Sequence, residues 1–173
     1  MIRQLCLSLA LLCTCTSTVA APWYFGGGFG NVDYDADYVS SFNNPVGIEL
    51  IIGNSISRNF SFEASYIDFG EANDHIPPNW RLSATGLTVG ALFKAPVGMN
   101  LDLLFKLGLN SWDGEIKEDG YGIIDTNDGT DIFYGIGAEI HTYNNIRIGA
   151  RYNTYDFDGD DVTMFSINLF VGI

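Results

Sequence analysis

Cysteine is absent after residue 15; Cys6, Cys13 and Cys15 are the whole complement. The rest of the chain therefore holds no disulfide framework and no cysteine-ligated metal site. Basic residues are scarce, 8 against 21 acids, giving a formal charge of −13 and a pI near 4.1. A nucleic-acid binder needs a basic stripe to displace counterions, so that class is excluded. Beyond the first twenty residues, no segment has the roughly 18 uninterrupted apolar residues of a membrane helix. Charged residues are only 17% while hydrophobic ones reach 47%, which excludes a disordered polyelectrolyte. Aromatic residues (14%) and 20 glycines are plentiful, a bias toward β structure in a 173-residue chain whose length suits one domain.

Residues 1–20 have the pattern of a cleavable signal peptide. Arg3 supplies a positive start, Leu5 to Leu12 a short apolar core, and Thr14 to Ala20 a small-residue tail. Cleavage is expected after Ala20, because a cut after Ala21 would leave Pro22 at the new terminus. Lipidation is not expected, since Leu12-Cys13-Thr14-Cys15 lacks the small residue that precedes a lipidated cysteine. Loss of Arg3 leaves a mature charge of −14. A mature chain without apolar helices can cross a membrane only as a closed barrel, because lipid offers no partner to unpaired backbone groups.

Period-2 alternation recurs in eight stretches: 23–30, 46–53, 60–67, 85–94, 101–110, 132–141, 146–155 and 163–173. Ten residues at roughly 3.3 Å each, tilted about 45°, rise about 23 Å, close to the apolar band of an outer-membrane barrel. Sorted by parity, one face of the eight stretches holds 38 positions with no charge and one glycine, Gly27. The other face holds 37 positions with twelve glycines and eight charges: Glu49, Glu63, Asp102, Glu139, Lys94, Lys106, Arg147 and Arg151. A lipocalin-like soluble carrier would turn the first face inward, but an eight-stranded lumen has no room for so many large side chains. The small and charged face fits the lumen, and the apolar face then meets lipid. There an Arg or Lys would cost about 2–4 kcal/mol at the midplane.

The connections alternate in length. Stretches 54–59, 95–100 and 142–145 are expected to be short turns, and 31–45, 68–84, 111–131 and 156–162 longer loops. In such barrels both termini and the short turns face the periplasm and the long loops face outward. Those loops carry 17 of the 21 acids and, as bases, only Arg81 and Lys117. Lipopolysaccharide phosphates would repel this acidic rim unless divalent cations bridge them.

The chain resembles the OmpA-type family of eight-stranded outer-membrane barrels. The resemblance is carried by Trp23-Tyr24-Phe25-Gly26-Gly27-Gly28, by Phe62-Glu63-Ala64-Ser65-Tyr66-Ile67-Asp68-Phe69-Gly70, and by Tyr134-Gly135-Ile136-Gly137-Ala138-Glu139. Ile148-Gly149-Ala150-Arg151-Tyr152 and the alternating end Phe165 to Ile173 add to it. It implies a salt-bridged plug in the lumen, which falls by strand and parity on Glu63, Lys106, Glu139 and Arg151. Removing Lys106 or Arg151 is expected to open a barrel that otherwise conducts poorly. The family's closing strand commonly ends in Phe, which the barrel-assembly machinery reads, whereas this chain ends in Ile173. Many relatives continue into a peptidoglycan-binding domain, which does not follow the barrel here, so no wall tether is expected.

Other chemistry finds little footing. A lipid A hydrolase needs a Ser–His pair at the outer rim. His75 lies in a proline-containing loop, and His141 has lumen parity beside a short periplasmic turn. Asp156-Phe157-Asp158-Gly159-Asp160-Asp161 is acidic enough to invite calcium but lacks EF-hand spacing, so a solvated turn is expected. Gly26-Gly27-Gly28, Gly135 and Gly137 sit in strands with no helix following, which excludes a phosphate cradle. Trp23, Tyr24, Trp80, Trp112, Tyr152 and Tyr155 are expected to be interfacial aromatics or loop-base packing.

The combined expectation is an all-β, eight-stranded antiparallel up-and-down transmembrane barrel at residues 21–173, behind a signal peptide at 1–20. It would be a monomer in the outer membrane with a structural, envelope-integrity role and a plugged lumen. No catalytic residue, cofactor or metal is expected. Its partners would be outer-membrane lipid, lipopolysaccharide through divalent cations, and the barrel-assembly machinery. Adhesion or phage reception would depend on the loops. The alternatives are a narrow channel for water or small solutes and a lipid A-modifying enzyme.

Overall fold

Alternation becomes strand in all eight places where the sequence carries it. The computed structural model describes residues 23–35, 43–74, 80–142 and 145–173; the segment expected to be a signal peptide and His75 lie outside them. The strands are β1 (Trp23–Asp35), β2 (Val46–Ser57), β3 (Phe60–Asn73), β4 (Trp80–Pro96), β5 (Leu101–Glu118), β6 (Gly122–His141), β7 (Ile146–Phe157) and β8 (Asp160–Gly172). Each pairs antiparallel with its sequence neighbour. β1 closes against β8 from Tyr24↔Gly172 to Asp35↔Asp161. Among the described residues closure pairs both edges of every strand through the ring from Tyr24 to Asn31 and from Phe133 to His141, the condition a sheet must meet in lipid.

The pleat sorts side chains as the parity demands. Leu103, Ile136 and Leu169 are 49%, 62% and 53% exposed on the outer wall. Glu63 and Arg151 are each 2% exposed, inside. An exterior of Leu, Ile, Phe and Val with an ionised interior is the reverse of a soluble barrel. Only an apolar solvent makes it favourable.

The strands run further than the alternation at the rim opposite the chain ends. Stretches 111–131 and 156–162, expected to be loops, are mostly strand. β5 and β6 pair out to Glu118↔Gly122 and turn through Asp119–Tyr121, with Gly120 at φ 91°. β7 and β8 pair to Phe157↔Asp160. Their two-residue turn puts Asp158 at φ 56° and Gly159 at φ 98°. Positive φ at both central positions is the type I′ geometry that matches strand twist and that Asp-Gly favours. The physical reason for the misreading is the solvent. Past the bilayer the outward face of a strand meets water instead of lipid, so it turns polar and the apolar/polar alternation fades while the backbone ladder continues.

Candidate functional site

The lumen is the place where the sequence spends its buried charge. Glu63 on β3 is the hub. Arg151 on β7 reaches it with both guanidinium nitrogens, Nη1 to Oε2 at 2.8 Å and Nη2 to Oε1 at 2.9 Å. Tyr24 on β1 donates its hydroxyl to Oε1 at 2.9 Å. Lys106 on β5 places Nζ 3.1 Å from Oε2 and 3.7 Å from Oε1 of Glu49 on β2. A forked guanidinium matches a carboxylate in geometry as well as charge, so this contact fixes two walls of the barrel against each other.

Glu139 on β6 is a second hub, nearer the short-turn rim. It accepts from Nη1 of Arg147 at 2.8 Å, and Lys94 stands 3.8 Å away. Nη2 of Arg151 lies 4.0 Å from Oε2 of Glu139, linking the two hubs. His141 pairs with Asp102 at 2.8 Å at the edge of the network. Aromatic rings complete the shell. The Arg147 guanidinium lies 4.1 Å from the centre of the Tyr24 ring, and that of Arg151 lies 4.6 Å from the centre of Phe170. Cations over ring faces are favoured by the ring quadrupole.

All four residues implied by the resemblance are buried inside the barrel. Glu63, Lys106 and Arg151 meet directly, and Glu139 joins through Arg151 and Arg147. The network is larger than those four. Glu49, Lys94, Asp102 and Arg147 take part, and their lumen parity with a charged side chain was the signal. Tyr24 was expected at the interface and is instead buried. Its parity is that of the charged face, and Gly53 leaves space for it: a Cβ there would collide with the Tyr24 ring.

A second layer was not expected. Toward the long-loop rim the interior is closed by Val32, Ile67, Phe69, Phe133, Tyr155 and Met164, each fully buried. Tyr155 is flanked by two rings, stacked on Phe133 at 5.4 Å and edge-on to Phe69 at 5.0 Å. Tyr155 and Trp112 are thus interior, while Trp23, Trp80 and Tyr152 are exposed as expected. The signal was present: Ile67, Phe133, Tyr155 and Met164 all share the lumen parity.

At the short-turn rim a cavity of about 740 Å³ opens below the network, lined in part by Lys94, Asp102, His141 and Arg147. Ligand atoms of Asp102, Glu139 and His141 lie within 4.8 Å of one another. Arg147 and Lys94 already face Glu139, so its charge is met by the chain's own cations rather than calling for a metal.

A family model described as "Outer membrane protein beta-barrel domain" matches residues 5–171. The chain belongs to the outer-membrane protein β-barrel domain family. Solved structures of this family's type share the fold. Ail, the attachment invasion locus protein of Yersinia pestis, aligns over 90% of this chain and 100% of its own, at 15% identity and TM-score 0.65. Neisserial surface protein A aligns over 86% and 96%, at 12% identity and TM-score 0.61. OprG from Pseudomonas aeruginosa aligns over 87% and 96%, at 11% identity and TM-score 0.61. Among curated proteins none matches the sequence. As a barrel of this family the chain resides in the outer membrane. Its short turns mark the periplasmic rim and its extended hairpins the outer one.

Proposed function

We propose that this outer-membrane barrel is a closed, non-catalytic structural element of the envelope and not a pore. The observation that carries the reading is the double closure of the lumen. Any permeant must break the Glu63–Arg151–Lys106 cluster and then displace the apolar layer around Tyr155. A narrow channel is the second reading, favoured by the cavity at the periplasmic rim, which leads as far as the charge network. Planar-bilayer recording of the purified, refolded protein separates the two. The closed reading expects a flat baseline, and a large steady conductance contradicts it.

The barrel is read as a monomer that meets lipid with its apolar wall and is inserted by the barrel-assembly machinery. Lipopolysaccharide is its expected neighbour outside, bridged by divalent cations. One Ail structure contains the heparin analogue sucrose octasulfate. A polysulfated ligand suits this chain poorly. Its two outer bases are already engaged, Arg81 with Asp119 at 2.7 Å and Lys117 with Glu115 at 2.8 Å. A lipid A-modifying activity has no support among the described residues, whose one histidine, His141, stands at the periplasmic end, paired with Asp102. Mass analysis of lipid A after incubation tests that point.

A further inference from the structure

Above the apolar layer the strands run on past the closed ring, where β1 no longer pairs with β2 nor β6 with β7, and border an open-mouthed cavity of about 170 Å³. Its walls are Tyr34, Leu82, Trp112, Ile116 and Phe157, contributed by β1, β4, β5 and β7. Its floor is Ala84 and Val162, both members of the apolar layer. The wall is held in place rather than loosely collapsed. The Trp112 indole stacks on Phe157 at 4.5 Å and 6°, and donates its Nε1–H to Asp131 at 2.8 Å. Across from it Gly129 leaves room for the ring, since a Cβ there would stand 3.0 Å from the indole.

The charged part of the lining is of one sign, beside the neutral Thr126 and Asn127. Asp125, Asp160 and Asp161 border the cavity, and among the described residues no Lys or Arg lines it. Among the described residues none of these three carboxylates has a basic partner, because Arg81 and Lys117 pair with other acids. An apolar chamber with an anionic mouth selects for a matching ligand. Its body must be apolar and about the size of one aromatic ring, as a dry cavity of about 150 Å³ is enough for benzene. Its head must be cationic, to form charge-assisted hydrogen bonds with the carboxylates.

We propose that this outer cup is a binding site for a small organic cation, an aromatic or branched-alkyl ammonium held ring-down against Trp112 and Leu82 with its N–H groups on Asp125 and Asp160, the two bordering acids that share the inward parity. A neutral isostere keeps the apolar contacts and loses the head, whereas an anionic isostere is repelled.

The test is calorimetric titration of the intact barrel in nanodiscs, with empty nanodiscs subtracted, using 2-phenylethylammonium, 2-phenylethanol and 3-phenylpropionate. Saturable one-site binding is expected for the ammonium. Binding should be about tenfold weaker for the alcohol, and absent for the carboxylate. The double variant Asp125→Asn/Asp160→Asn should weaken the ammonium about tenfold. Leu82→Trp, which fills the chamber, should abolish binding. Retention of the heat-modifiable gel shift verifies that each variant is folded. The proposal is overturned if the ammonium does not saturate, if ammonium and alcohol bind alike, if the folded Asp125→Asn/Asp160→Asn variant binds the ammonium as tightly as the wild type, or if binding persists in folded Leu82→Trp.

Discussion

Arg151 and Glu63 stand 88 positions apart in the chain and meet through two hydrogen bonds of 2.8 and 2.9 Å across the barrel interior. Both are buried, so each depends on the other for its charge. Arg151→Ala should therefore destabilise the barrel by about 3–5 kcal/mol, the cost of stranding a buried partner. Arg151→Lys keeps the charge and loses the fork, and should fall between. Urea unfolding in micelles, read as the midpoint of the heat-modifiable gel shift, measures both.

Conduction should answer to two layers rather than one. Lys106→Ala or Arg151→Ala loosens the charge cluster but leaves Phe133, Tyr155 and Met164 in place. Each single variant should show only brief, small openings in planar bilayers. Combining Arg151→Ala with Tyr155→Ala should give a stable conductance. A stable pore from the single variant would mean that the apolar layer does not seal.

Gly53 and Tyr24 form a packed pair, since a side chain at 53 would overlap the ring. Gly53→Ala should cost about 1–3 kcal/mol through overpacking. Adding Tyr24→Ala should recover part of that loss, although it removes the hydroxyl bonded to Glu63. A double-mutant cycle on unfolding midpoints reads the coupling.

The outer hairpins place like charges opposite one another, Asp113↔Asp128 and Asp156↔Asp161. Such cross-strand pairs are destabilising by roughly 0.2–1 kcal/mol. Asp113→Asn should accordingly raise stability slightly in plain detergent at low salt. Mg²⁺ or Ca²⁺ should stabilise the wild type modestly in lipopolysaccharide-containing micelles. Identical melting with and without a chelator would rule out the bridging role of divalent cations.

The membrane-spanning part was legible because lipid enforces a strict rule on every second residue. β1, β2, β3, β5 and β7 begin where the alternation begins, and Glu63 and Arg151 fall on the inward parity. The outer hairpins were not legible, because water imposes no such rule. Asp125 and Asp128 sit in a strand whose pattern gives no hint of pairing. Which lumen charges meet was legible only in part. Parity places Glu49, Glu63 and Lys106 on one face, but contact across the barrel depends on strand stagger, which alternation does not encode. The apolar layer was visible in principle, since Ile67, Phe133 and Tyr155 carry the same parity as the charges. Their neighbours Gly86, Gly90 and Gly135 drew attention to small residues instead.

Residues 16–173 contain no cysteine, so single-cysteine labelling tests most directly which wall faces lipid. Leu103→Cys, Ile136→Cys and Leu169→Cys represent the outer wall, and Ser65→Cys, Thr88→Cys and Ser166→Cys the lumen. Each would carry a small fluorophore in nanodiscs made with brominated lipid. Strong quenching is expected at 103, 136 and 169, with little at 65, 88 and 166. Quenching at the second set and not the first would contradict the orientation on which the closed lumen, the ion network and the outer cup all rest.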